Sequence, residues 1–200
     1  MKKKIVILGS TGSIGKNTID VIRKNKKNFS VVLLSTNSNI TEIIKQAKEF
    51  NVKNIIINNY EKYNKTKLKY DKSNINFFNN FKDINKIIKK KEIDYSMISV
   101  TGLDGLEPSI IMCKLSKKLA IVNKESLICG WNIIQKHIKK FKTNFIPIDS
   151  EHYSIFSLLK NNPNQEIEKI YITASGGPFI NYSKKKFNKI FLKDALKHPN

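Results

Sequence analysis

Short apolar runs alternate along the chain with segments in which apolar residues recur every three or four positions, the rhythm of βαβ units around a parallel sheet. The pattern predicts strands at 4–8, 31–35, 54–57, 95–100, 119–122 and 145–148. Helices are expected at 14–24, 40–50, 81–90, 106–115 and 131–139, with Asn39 and Glu42 spaced as a capping box at the start of the second. Residues 58–80 are rich in Asn and Lys and poor in apolar positions, so they read as a surface excursion holding at most a short strand at 75–77. After 145–148 the rhythm stops at Asp149-Ser150-Glu151-His152, and Asn161-Asn162-Pro163-Asn164 supplies a turn-rich linker. The expected organisation is a doubly wound parallel α/β domain at 1–148, then the beginning of an α+β catalytic domain at 149–200. In that second part 168–173 reads as a strand and 184–196 as a helix-like segment.

The net charge of +21, from 37 basic and 16 acidic side chains, changes this picture little. Arg23 is the single arginine, and lysines lack the planar fork that contacts phosphate and guanine in pairs. The lysines are spread through the chain together with abundant Asn and Ile, as an AT-biased coding sequence would leave them, so no nucleic-acid partner is expected. Gly9 ends the first apolar run after four residues, too soon for a secretory signal, and no stretch is long enough to span a membrane. Cys113, Cys129 and three scattered histidines lack zinc spacing. A reducing cytoplasm is the expected location.

The chemistry gathers where predicted strands end. Gly9-Ser10-Thr11-Gly12-Ser13-Ile14-Gly15 joins the first strand to the first helix, where helix N–H groups can meet a pyrophosphate. Gly9 suits a tight turn, Gly12 lets the backbone approach phosphate closely, and Gly15 lets the helix pack on the strand. An NAD site ordinarily places a carboxylate at the end of the second strand to bond the ribose 2′-hydroxyl. Here residues 21–41 contain no Asp or Glu, and Ser35-Thr36-Asn37-Ser38-Asn39 stands in its place, which favours NADP. Asn123-Lys124-Glu125-Ser126 follows the strand at 119–122, at the sheet edge where such folds bind ligands. It reads equally as an ordinary helix start. Asp149 and Glu151, two apart in an extended segment, would point the same way and could share Mg²⁺ or Mn²⁺, although a helix cap is the plainer reading of Asp149-Ser150. The loop Thr173-Ala174-Ser175-Gly176-Gly177-Pro178-Phe179 could offer backbone N–H groups and the Ser175 hydroxyl to a phosphate.

In this order, these motifs, with His198-Pro199-Asn200 at the end, resemble the 1-deoxy-D-xylulose 5-phosphate reductoisomerase family from the first strand to the last residue. The resemblance implies a Rossmann-type NADPH-binding domain. It also implies a divalent metal and conversion of a small phosphorylated sugar, 1-deoxy-D-xylulose 5-phosphate, into 2-C-methyl-D-erythritol 4-phosphate in non-mevalonate isoprenoid synthesis, rearrangement preceding reduction. By resemblance Thr11, Gly12, Ser13 and Ile14 hold the pyrophosphate, Asn37, Ser38 and Asn39 the adenosine end, and Asn123 and Glu125 the nicotinamide side. Lys124 would contact substrate, Asp149 and Glu151 would bind metal, and Ser150, Glu151, Ser175 and His198 would bind substrate. A homodimer is implied for the full-length protein. The family is longer, which makes this chain an N-terminal fragment, expected to be inactive alone, with the third metal carboxylate beyond Asn200. Departures from the family pattern fall at Asn37-Ser38, at Tyr153-Ser154 and at Val100-Thr101-Gly102-Leu103-Asp104; the last two are expected to touch no ligand.

Overall fold

A computed structural model describes residues 1–161, 167–172 and 177–196. The chain divides into two compact units, Met1–Ser157 and Leu158–Asn200. In the first, seven strands form one sheet in the order β4-β3-β2-β1-β5-β6-β7, every neighbouring pair parallel. They are β1 (Lys3–Leu8), β2 (Phe29–Thr36), β3 (Asn54–Ile57), β4 (Asn76–Phe78), β5 (Ile93–Ile98), β6 (Ser116–Ile121) and β7 (Asn144–Pro147). The strand order reverses between β1 and β5, so the crevice at the carboxyl ends of those strands is the point where such sheets bind ligands.

β1 is apolar without alternation because both its faces are covered. Ile5 and Ile7 pack with Ile19 and Ile22 of helix α1 (Ser13–Lys24) and with Ile43 and Ala47 of α2 (Ile40–Phe50). Val6 and Leu8 face the opposite cluster, with Met112 and Cys113 of α5 (Leu106–Leu115) and Ile134 of α6 (Lys124–Phe141). The doubly wound architecture expected from the apolar rhythm is thus present, with helices on both faces.

In the first unit three elements differ from expectation. Residues 58–80 hold the short edge strand expected there, β4, but also helix α3 (Tyr60–Lys69). Asn59 caps α3 by accepting from the Lys62 N–H at 2.9 Å, and the helix buries so little that Leu68 stays exposed, which is why no apolar stripe announces it. Helix α6 starts at Lys124 rather than 131, because its first turns are buried through the small residues Ser126 and Gly130. A Cβ on Gly130 would run into the Leu106 side chain, so the close α5–α6 packing depends on a residue that carries no apolar signal. The helix expected at 81–90 is a 3-10 turn, Phe81–Asp83, followed by the short α4 (Ile84–Ile87).

Helix α7 runs Ser150–Asn161. In the second unit, residues 167–172 form no strand; their apolar side chains Ile167, Ile170 and Ile172 are exposed, without a described neighbouring strand to pair the backbone. The segment expected to be one helix at 184–196 is a 3-10 turn at Lys184–Lys189 and the short α8 (Leu192–Ala195). Its lysine-rich first half has no buried face to hold a regular helix.

Candidate functional site

The β1–α1 turn is built around its glycines for two separate reasons. Gly9 has φ +83°, and a Cβ there would sit 2.5 Å from the Ser99 carbonyl oxygen. A Cβ on Gly15 would penetrate the Gly9 carbonyl and the Ser10 backbone, so α1 can lie against the turn only without one. Gly12 differs: the nearest atom to its missing Cβ is the Gly9 oxygen at 3.4 Å, so the protein's own packing does not demand glycine there. Gly12 lines two cavities, and its bare backbone leaves room for a group from outside the chain. It is also the N-cap of α1, whose first turn carries no acidic side chain. The first-turn N–H groups have no partner within the helix, and together with the helix dipole they suit a phosphate. These features fit a dinucleotide pyrophosphate.

The turn is tied to β2. The Ser35 hydroxyl accepts from the Gly9 N–H at 2.8 Å, and the Ser35 carbonyl accepts from the Ser10 N–H at 2.9 Å. The Thr11 and Thr36 hydroxyls share a hydrogen bond of 2.7 Å, and Thr36 Oγ1 also accepts from the Asn39 N–H. From α2, the buried Gln46 amide donates to the Ser10 carbonyl at 3.1 Å. Asn39 caps α2 by accepting from the Glu42 N–H at 3.2 Å; the Glu42 carboxylate accepts instead from Gln46, so the capping box is half formed.

Two cavities open along the carboxyl edge, sharing Gly12, Ser99, Val100 and Thr101. The first, about 200 Å³, lies over the β1–β2–β3 half and is lined among others by Thr11, Thr36, Asn37, Asn58 and Asp104. The second, about 630 Å³, lies over the β5–β6–β7 half and is lined by Ser13, Ile14, Asn123, Lys124, Glu125, Asp149 and Glu151 among others. Within the Val100–Asp104 loop, Val100 and Thr101 line both cavities, Gly102 the second and Asp104 the first, because β5 ends directly beside the glycine turn.

Asn123 is 6% exposed and its side chain is committed to the protein. Its amide donates to the Val100 carbonyl at 2.6 Å and to the Gly102 carbonyl, while its oxygen accepts from the Ser126 N–H at 2.8 Å and caps α6. It fixes the β5–α5 loop against the start of α6, which presents Lys124 and Glu125 to the second cavity. Asp149 caps α7: its carboxylate accepts from the His152 N–H at 2.9 Å and meets the His152 ring at 2.6 Å. Burial opposes ionisation of Asp149, but these bonds outweigh it and hold the carboxyl below its ordinary range. Glu151 lies in the first turn of α7, not in an extended segment, so the alternation argument for a shared direction does not apply. Both carboxylates nevertheless line the same cavity. Two hard oxygen donors suit Mg²⁺ or Mn²⁺ without completing a coordination sphere, and no group of three or more His, Cys, Asp or Glu able to hold a metal occurs among the described residues.

Ser38 is exposed and outside both cavity linings. Ser175 and His198 lie outside the described residues, as does the Ser150 side chain. Asn58 and Ser99 carry no motif in the sequence; each directly follows a strand, and the strand order is what brings them to the cleft.

Fold, glycine turn and switch-point cavities together define a Rossmann-type α/β protein with a carboxylate pair lining the switch-point cleft. Its particular kind follows from likeness to known proteins. The family model for 1-deoxy-D-xylulose 5-phosphate reductoisomerase matches residues 5–130, and that for the C-terminal domain of the same enzyme matches residues 145–200. The chain belongs to the 1-deoxy-D-xylulose 5-phosphate reductoisomerase family. The enzyme of that name from Pelagibacter ubique is 53% identical over 199 residues, 99% of this chain and 51% of the relative. The Zymomonas mobilis enzyme, solved in complex with NADPH, superposes with a TM-score of 0.81 at 30% identity, covering 92% of this chain and 48% of that one. A DOX-P reductoisomerase solved with NADPH, fosmidomycin and magnesium gives 0.78 at 26% identity, covering 99% and 51%. The chain spans about half the length of the curated relatives it matches.

Proposed function

We propose that this chain supplies the NADPH site and two of the metal carboxylates of an enzyme that isomerises and reduces 1-deoxy-D-xylulose 5-phosphate to 2-C-methyl-D-erythritol 4-phosphate. One observation carries the reading: Asp149 and Glu151 line the same cavity as Gly12, Ser13 and Ile14 of the nucleotide turn. Relatives in complex with NADPH, and with NADPH, fosmidomycin and magnesium, support both ligands.

In this reading the α1 N-terminus and Thr11 hold the pyrophosphate, and Thr36, Asn37 and Asn39 border the adenosine end. Asn123 keeps the cleft wall in place, Glu125 stands on the nicotinamide side, and Lys124 draws in the anionic substrate. Asp149 and Glu151 supply the charge that holds the ion against substrate oxygens, with Ser150, Ser175 and His198 as further substrate contacts. When bound, the ion polarises those oxygens as a Lewis acid and NADPH provides the hydride. No Asp or Glu stands at the end of β2, where an NAD site places its ribose-binding carboxylate, and this favours the 2′-phosphate. A cytoplasmic location and a dimeric whole protein belong to the same reading; no helix among the described residues is long and apolar enough to cross a membrane.

Calorimetric titration of the chain with NADPH and NADH tests the nucleotide part. NADPH is expected to bind at least about tenfold more tightly, the scale of one charge-assisted hydrogen bond. Equal affinities would remove the 2′-phosphate assignment, and no binding of either would remove the nucleotide reading.

A further inference from the structure

Among the residues lining the first cavity, Asp104 alone carries an ionisable side chain. It stands in the 3-10 turn Gly102–Gly105 that leads from β5 into α5, and its carboxylate makes no hydrogen bond or ion pair with any described residue. Asn58, directly after β3, lines the same cavity. The Asn58 backbone is bonded, its N–H donating to the Thr36 carbonyl at 3.0 Å and its carbonyl accepting from Asn79, but its side-chain amide has no partner among the described residues. A carboxylate and an amide, both exposed and neither committed to another described side chain, thus line one small cavity and are free to orient a ligand in it.

Their position limits what they can meet. Gly12 joins the two cavities, so a pyrophosphate held there sends one half of a dinucleotide into each. The half entering the first cavity passes Thr36 and Asn37 at the end of β2, the ribose side of such sites, and its base comes to lie between the β3 and β5 walls. A carboxylate only accepts hydrogen bonds and is repelled by phosphate, so the part of a nucleotide that Asp104 can bond is a neutral donor. On a base at that position the donor is an exocyclic amine. We propose that Asp104 and Asn58 read the base edge of the bound nucleotide, Asp104 accepting from the 6-amino group of adenine and Asn58 bonding the adjacent ring nitrogen, which selects adenine over a 6-oxo purine. This rests on the nucleotide reading above.

The test compares NADPH with its analogue carrying hypoxanthine in place of adenine, titrated against the 200-residue chain and followed by the fluorescence of the reduced nicotinamide. The two ligands carry the same charge, so their affinity ratio cancels long-range electrostatics and isolates the base edge. The analogue is expected to bind about tenfold more weakly or worse, since a carbonyl replaces the donor facing a carboxylate. Asp104→Ala is expected to bring the ratio close to one, and Asp104→Asn, which can donate to a 6-oxo group, to shift it toward the analogue. Asp104 is exposed, so unfolding temperatures of both variants should match the parent and serve as the folding control. Equal binding of the two ligands by the parent chain, or an Asp104→Ala variant that weakens both equally, would overturn the assignment while leaving the nucleotide site standing. Failure of NADPH itself to bind would overturn the site and this inference with it.

Discussion

Gly12 and Gly15, three residues apart, are glycine for opposite reasons, and substitution separates them. Gly15→Ala drives a methyl into the Gly9 carbonyl and the Ser10 backbone and should lower unfolding stability by about 2 kcal/mol or more. Gly12→Ala meets no protein atom closer than 3.4 Å. It should stay within about 1 kcal/mol of the parent in denaturant unfolding while losing most of its affinity for NADPH. A Gly12→Ala chain that unfolds early, or one that binds normally, would show that its bare backbone serves packing instead. This contrast explains which part of the site was legible in the sequence. The glycine turn announces itself because its chemistry needs a residue type at fixed spacing. Asp104, Asn58 and Thr36 come from three different strand ends and meet only because the sheet runs β4-β3-β2-β1-β5-β6-β7, which no local spacing encodes. Asp149 and Glu151 were found as a pair, but for a wrong local reason, since a helix and not a strand carries Glu151.

At the scale of elements, the helices that pack an apolar stripe on the sheet are readable, α2 to its first residue; the start of α6 is legible only as one of two readings of Asn123–Ser126, and α3 is not legible. α3 has almost no stripe to read, and α6 enters its packing through Ser126 and Gly130. Helix ends carry their own physics. Lys142 closes α6 at φ 51°, with its N–H donating toward the Ile138 and Lys139 carbonyls. A left-handed conformation costs a side-chain-bearing residue about 1 kcal/mol relative to glycine. Lys142→Gly should therefore raise stability by roughly 0.5–1 kcal/mol, read as a later midpoint in urea with an unchanged slope. At the amino edge of the sheet, Lys91 bonds the Ser116 carbonyl at 2.6 Å and the Thr143 hydroxyl at 2.7 Å, holding the starts of β6 and β7 together; burial lowers its affinity for a proton.

Across the whole first unit, charge is lopsided but not idle. Arg23 on α1 bridges to Glu49 on α2 at 2.6 Å, and hydrogen bonding to that guanidinium outweighs burial and lowers the Glu49 carboxyl from 4.5 to about 2. A carboxyl whose folded value is depressed stabilises above its unfolded value and loses that contribution as pH falls toward the folded one. The Glu49 contribution should thus be complete above about pH 4.5 and fade toward pH 2. Because Arg23 is 42% exposed, screening keeps the effect small: Glu49→Gln should cost no more than about 1 kcal/mol near neutrality and only a small part of that at pH 2. Paired urea titrations across that range read it directly.

If one cleft holds the nucleotide and the two carboxylates together, the nicotinamide half lies beside Asp149 and Glu151 and the adenine half beyond Gly12. Paramagnetic relaxation of bound NADP⁺ protons by Mn²⁺ added to the chain measures this most directly. Strong broadening of the nicotinamide protons is expected, with much weaker broadening of the adenine protons and loss of the effect in the Asp149→Asn, Glu151→Gln double variant. Equal broadening at both ends, or broadening that survives the double variant, would contradict it.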